Sequence, residues 1–168
     1  MGSPPNYSDR VWIYRQRGPP SGKPMLQWTE KFETGDGVID SQHKTLIGYI
    51  NRLEVICHTT NFDRQEAEFL LNLVDFVEIY TLAHFQHEEG CMARHRCPVH
   101  QQNKNAHEAF LEFFRSFKRR FEIEGCRPDV LHQLHQQCCD WIRQHILLID
   151  LQLKPCLKQP LAGDADEE

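Results

Sequence analysis

His84 and Glu88 stand four residues apart in a stretch whose other regularly spaced positions are Phe69, Leu73, Val77 and Tyr80. On a helix such a pair differs by about 40° around the axis and about 6 Å along it, so both side chains can reach one point. His107 lies three residues before Phe110, on an apolar face that continues through Phe114, Phe117 and Phe121. His145 follows Trp141 by four, and His43 lies three and four residues before Leu46 and Ile47. A polar or charged group in such an interior is costly unless it is paired or bonded to a metal. Any single histidine of this kind is ordinarily a hydrogen-bonded core residue. Four of them, one from each of four periodic segments, together with Glu88 and Asp150, point instead to a metal centre that satisfies every group at once. His145 and Asp150 are five residues apart, about 140° on an ideal helix. A carboxylate bridging two metals, or a local π-bulge, would reconcile that spacing, and the sequence does not choose between them.

Five or six nitrogen and oxygen donors exceed the four a zinc ion takes. They suit two first-row metals. Carboxylate-rich di-iron bundles carry Glu-x-x-His pairs on two helices, and no such pair is aligned with these stripes. A histidine-rich set with few anionic ligands favours reversible ligand binding over strong oxidation. Two ferrous ions set against two carboxylates and a bridging hydroxide leave about one net positive charge, mild for a buried site.

Positioning these groups takes four helices. The 3.6-residue period predicts them at about Ser41 to His58, Asp63 to Ala93, Pro98 to Glu124 and Pro128 to Leu153. Asp40 or Ser41 is the expected cap of the first, and Pro155 the expected stop of the last. Short connections then give an all-α, up-down-up-down four-helix bundle. The bundle domain is expected over residues 28–155, behind an extended arm or linker at 1–27 rich in Pro, Gly, Ser and Arg, and before an acidic tail or linker at 156–168.

The chain has 168 residues and a formal net charge of −5, with a pI near 6.0 and a mean hydropathy of −0.59. A mildly acidic chain lacks the basic field that general nucleic-acid binding needs. No apolar run approaches a membrane span of about 20 residues, and the N-terminal stretch has no apolar signal core. The 10 histidines are numerous for this length, and the 7 cysteines are odd in number and irregularly spaced. The cysteines read as reduced thiols, several of them core filler, in a cytoplasmic setting.

With these residues assembled, the chain resembles the hemerythrin family in its bacterial form. The matching pieces run in order: Trp28, then Gly35-Asp36-Gly37-Val38-Ile39-Asp40; Ser41-Gln42-His43-Lys44-x-Leu46; His84-Phe85-x-His87-Glu88-Glu89; Met92; Pro98; His107-Glu108-x-Phe110; and Trp141-x-x-x-His145-Ile146-x-x-x-Asp150. They cover roughly residues 28–153, and the combination is highly specific. The resemblance implies a non-haem centre of two iron ions (Fe2+/Fe3+) with an oxo or hydroxo bridge. His43 and His84 would bind one iron, His107 and His145 the other, and Glu88 and Asp150 would bridge them. The family places a further histidine four residues before the His107 position, on the same iron. Here that residue is Asn103. Its carbonyl oxygen is a weak ligand atom beside an imidazole, so the second iron would hold Asn103 or water there. His100 lies about 10 Å along the helix from His107 and cannot easily share its iron. His87 and His95 are not expected as ligands, and His58, His132 and His135 read as surface residues.

The resemblance further implies O2 binding at an open position on the iron of His43 and His84, in a pocket lined by Leu46, Trp141 and Leu148. An apolar pocket of this kind resists proton leakage. An extra labile position at Asn103 would hasten autoxidation and ease binding of anions such as azide. The expected function is an oxygen or redox sensor module, binding without turnover and regulating a fused or interacting signalling output such as a diguanylate cyclase. The alternatives are a di-iron enzyme reducing peroxide or nitric oxide, and an O2 storage or carrier protein.

Overall fold

The computed structural model describes residues 26–57, 64–125 and 127–158. Most of the expected arm, most of the tail, His58 and the predicted start of the second helix at Asp63 lie outside the described residues. The four long helices are α1 (Gly37–Cys57), α2 (Arg64–Arg94), α3 (His100–Glu124) and α4 (Pro128–Leu148). A 3-10 turn at Glu30–Phe32 precedes them, and a second at Asp150–Gln152 leads into the short helix α5 (Leu153–Cys156). There is no strand among the described residues.

The boundaries have local causes. Helix α1 starts four residues before Ser41 because Asp36, not Asp40 or Ser41, caps it. The Asp36 Oδ1 atom accepts from the backbone N–H groups of Val38 at 2.9 Å and Ile39 at 3.0 Å. Asp40 turns inward, and its Oδ1 accepts from the N–H and the hydroxyl of Thr34, each at 2.8 Å. Gly125 ends α3 at φ +79°, a conformation that costs glycine nothing. Pro128 opens α4, where no N–H is missed.

Helix α4 ends at Leu148, short of the expected Leu153. Ile149 caps it with φ −117° and ψ −60°, its N–H bonded to the His145 carbonyl at 2.8 Å. Pro155 does not stop the chain. It sits within the single turn of α5, where a proline's missing N–H removes no helical bond.

Each long helix packs on its neighbour in sequence, and α4 closes back against α1. That is the expected up-down-up-down bundle. Phe110, Phe114, Phe117 and Phe121 of α3 line one wall of the main core beside Leu131, Leu134 and Ile142 of α4. Burying each such side chain contributes roughly 1.5–3 kcal/mol. A smaller cluster of Ile39, Cys91, Met92, Cys97, Leu153 and Cys156 forms apart from it. Within it Cys97 and Cys156 form a disulfide across 59 residues, with Cα atoms 5.5 Å apart. The reading of every cysteine as a reduced thiol is therefore corrected. The turn after α2 and the α5 turn bring together two cysteines that no local spacing links. No described helix is long and apolar enough to cross a membrane.

Candidate metal centre

The four helices deliver their histidines to one interior point because each lies on its helix's apolar stripe. His43 (α1), His84 (α2), His107 (α3) and His145 (α4) are buried, as are Glu88 (α2) and Asp150 on the 3-10 turn. The ligand atoms fall into two clusters, His43–His84–Glu88 and Glu88–His107–His145, each within 4.8 Å. Glu88 belongs to both. Asp150 also spans them, with Oδ2 3.3 Å from His43 Nε2 and Oδ1 3.1 Å from His145 Nε2.

The break after Leu148 resolves the awkward spacing of His145 and Asp150. The chain tightens into a 3-10 turn, the opposite of a π-bulge, and that turn re-aims Asp150 inward.

Outer partners fix two imidazoles. His84 Nδ1 lies 3.0 Å from Gln42 Oε1, and His107 Nδ1 lies 2.9 Å from Glu89 Oε1. Amide and carboxylate oxygens accept, so each Nδ1 carries the proton and each Nε2 presents a lone pair inward. Ring stacking locks the rotamers. Phe85 lies parallel to His107 at 3.6 Å, and Trp141 stacks on His145 at 4.3 Å. In the sequence Gln42 and Glu89 appear only as neighbours of His43 and Glu88 within the matching motifs, with nothing to mark them as partners of His84 and His107.

The electrostatics describe a site short of positive charge. Burial, then the charge of Asp150, raises Glu88 to about 8. Burial would also raise Asp150, but His145 and His43 hold it below the usual carboxylate range. Burial, then neighbouring histidine charge, lowers His84 well below its ordinary value and His107 to about 4. Those two imidazoles are thus held neutral, the form that binds metal. Both nitrogens of His43, Glu88 Oε1, Asn103 Oδ1 and both Asp150 oxygens are buried with no hydrogen-bond partner among the described residues. Orphaned donors and acceptors converging on shared space are what a pair of bound cations would satisfy.

Asn103 is fully buried beside this set. Its Nδ2 donates to Glu88 Oε2 at 3.2 Å. Of the pocket residues, Leu46 is buried and Trp141 stacks against the site. Leu148 is 66% exposed and does not face it. It stands three residues past His145, rotated off the inward stripe, and the chain leaves the helix directly afterwards. His87, His95 and His100 are half-buried and belong to neither cluster. His132 pairs with Gln136 at 3.1 Å. His135 is no open surface residue: its side chain is 12% exposed and lies 2.6 Å from Glu54.

The model of the hemerythrin HHE cation binding domain matches residues 34–157. Among curated proteins, the chain is 29% identical to a bacteriohemerythrin of Stenotrophomonas maltophilia over 73% of its length and 74% of the relative's. It is 30% identical to one of Pseudomonas aeruginosa over 72% and 74%. A bacteriohemerythrin of Ralstonia nicotianae is 27% identical over 86% of this chain and 97% of its own.

Proposed function

The chain belongs to the hemerythrin family, and from that premise we propose that it is an oxygen or redox sensor module whose C-terminal turn passes the state of the centre to a signalling partner. The coarser function is that of a di-iron O2-binding domain, with two iron ions as the cofactor. In the proposed assignment His43 and His84 would hold one iron and His107 and His145 the other, with Glu88 and Asp150 available to both. The two overlapping clusters that share Glu88 support it. When bound, the irons supply two reversibly available electrons and an open coordination position for O2.

The chain's own residues do the rest. Gln42 and Glu89 keep the Nδ1 protons of His84 and His107 in place, so those rings are not reoriented. Leu46, Phe85 and Trp141 keep water from the site, which slows proton loss and unwanted oxidation. Asn103 holds one oxygen of Glu88 through Nδ2 and leaves its own carbonyl oxygen inside the site.

One observation carries the sensor reading. Asp150 is the sole member of the set that does not sit on a long helix. It sits on the turn joining α4 to α5, and α5 carries Cys156 of the disulfide. A change in how Asp150 is held moves the segment after α4 before any other. Hydrogen exchange of residues 149–158, compared between anaerobically reduced and air-exposed protein, tests this. The reading expects a clear difference confined to that segment. Identical exchange in both states, or steady turnover of O2, peroxide or nitric oxide, removes it.

A further inference from the structure

A thiol, an imidazole and a carboxylate line up across the contact between α1 and α4, away from the metal centre. Cys139 Sγ lies 3.3 Å from His135 Nε2. His135 Nδ1 lies 2.6 Å from Glu54 Oε2. Cys139 and His135 are four residues apart on α4 and share a face. Glu54 reaches them from α1. His135 stands ten residues before His145, about 15 Å along the helix, and none of the three residues belongs to either metal cluster.

The proton positions follow from the contacts. At 2.6 Å the Glu54 oxygen and the His135 nitrogen are too close for two lone pairs to face each other, so Nδ1 of His135 carries the proton. Its Nε2 then has a lone pair, and the Cys139 S–H points the proton there. A nucleophile beside a base that is itself oriented by a third group is the arrangement of an activated thiol. The exposures suit this. Glu54 is buried, which shields its contact with His135 from solvent, whereas Cys139 and His135 are partly exposed. The neighbouring Cys138 is buried in the core.

We propose that Cys139 is a base-assisted reactive thiol, a modification site for hydroperoxides and other soft electrophiles. With a hydroperoxide, the sulfur attacks the terminal oxygen. The S–O bond forms as the O–O bond breaks. The thiol proton passes to His135 Nε2 and then to the departing oxygen. Cysteine is oxidised by two electrons to the sulfenic acid, and the hydroperoxide is reduced to an alcohol, or to water when it is hydrogen peroxide. Burial first, with the charge of Arg143 opposing and those of Glu54 and Asp140 adding, pushes the Cys139 thiol up to about 11. A sulfur here whose proton no base accepted would therefore react more slowly than a free one.

That contrast makes the test sharp. Iron-loaded protein is treated with iodoacetamide, and each cysteine's rate is mapped by mass spectrometry in the folded and the urea-unfolded chain. Cys139 is expected to react about tenfold faster when folded, and His135→Gln to abolish that advantage. After brief exposure to hydrogen peroxide, dimedone should label Cys139 ahead of Cys91 and Cys138. A folded-state rate at or below the unfolded rate overturns the proposal in the natural chain, with no variant required. An unchanged rate in His135→Gln, with native circular dichroism and iron content, also overturns it, as does dimedone labelling that favours another cysteine.

Discussion

Asn103 donates from Nδ2 to Glu88 Oε2 at 3.2 Å, with both side chains fully buried. Asn103 stands where the family pattern has an imidazole, and its amide grips a proposed bridging carboxylate. Its carbonyl oxygen has no hydrogen-bond partner among the described residues. An imidazole at this position could bind metal strongly. The carboxamide instead offers one donor for Glu88 and one weak acceptor.

Replacing Asn103 should therefore separate two effects. Asn103→His is expected to lengthen the lifetime of the air-exposed reduced protein and to weaken azide binding. Both are read from the visible absorption spectrum. Asn103→Leu removes the donor to Glu88 and should cost about 1–3 kcal/mol of stability in urea. A shorter lifetime in the histidine variant would refute the weak-ligand account of Asn103.

Glu88 is the residue common to both ligand clusters, so its loss should affect both cations. Glu88→Ala is expected to drop bound iron from about two per chain to below one, measured by elemental analysis of well-folded protein. His107→Ala touches a single cluster and should retain more. Equal retention in the two variants would argue against Glu88 as a bridge.

The iron-free protein should be most stable near pH 6.5. His107 is lowered from 6.5 to about 4, so the unfolded chain binds its proton more tightly, and stability falls as pH drops from 6.5 towards 4. His84, lowered in the same direction, adds to that loss. Glu88 is raised from 4.5 to about 8, so its contribution is full below 4.5 and lost as pH rises to 8. From 4.5 to 6.5 two histidines outweigh one carboxylate, and from 6.5 to 8 the histidines no longer oppose Glu88, so stability declines. Urea midpoints of chelator-treated protein across pH 4–9 should trace this peak. Iron should remove the decline above 6.5, because binding favours the ionised carboxylate.

The Cys97–Cys156 disulfide closes a loop of 59 residues. Its reduction, or the Cys97→Ser and Cys156→Ser double variant, should cost about 2–4 kcal/mol. The measurement is the urea midpoint with and without a small dithiol. A midpoint that does not move would mean the two turns stay docked without the bond.

The four inward histidines were legible because helical periodicity is a local property. His43, His84, His107 and His145 sit on the same stripes as Leu46, Val77, Phe110 and Trp141, so their burial follows from spacing alone. Helix starts and stops were legible less well. The cap moved to Asp36 because Asp40 had a better partner in Thr34, and α4 ended early at Ile149. Neither Thr34 nor the inward aim of Asp150 has a periodic signature.

The amino-acid order by itself determined that four amphipathic helices form and that each carries an imidazole on its apolar side. The tertiary structure alone decided which atoms meet. It set Glu89 against His107, Gln42 against His84, Glu54 against His135, and Cys97 against Cys156, and it left Leu148 outside. The reason is geometric: spacing along the chain fixes an angle about one helix axis, whereas contact between helices depends on their relative rotation and axial offset, which only the packed core establishes.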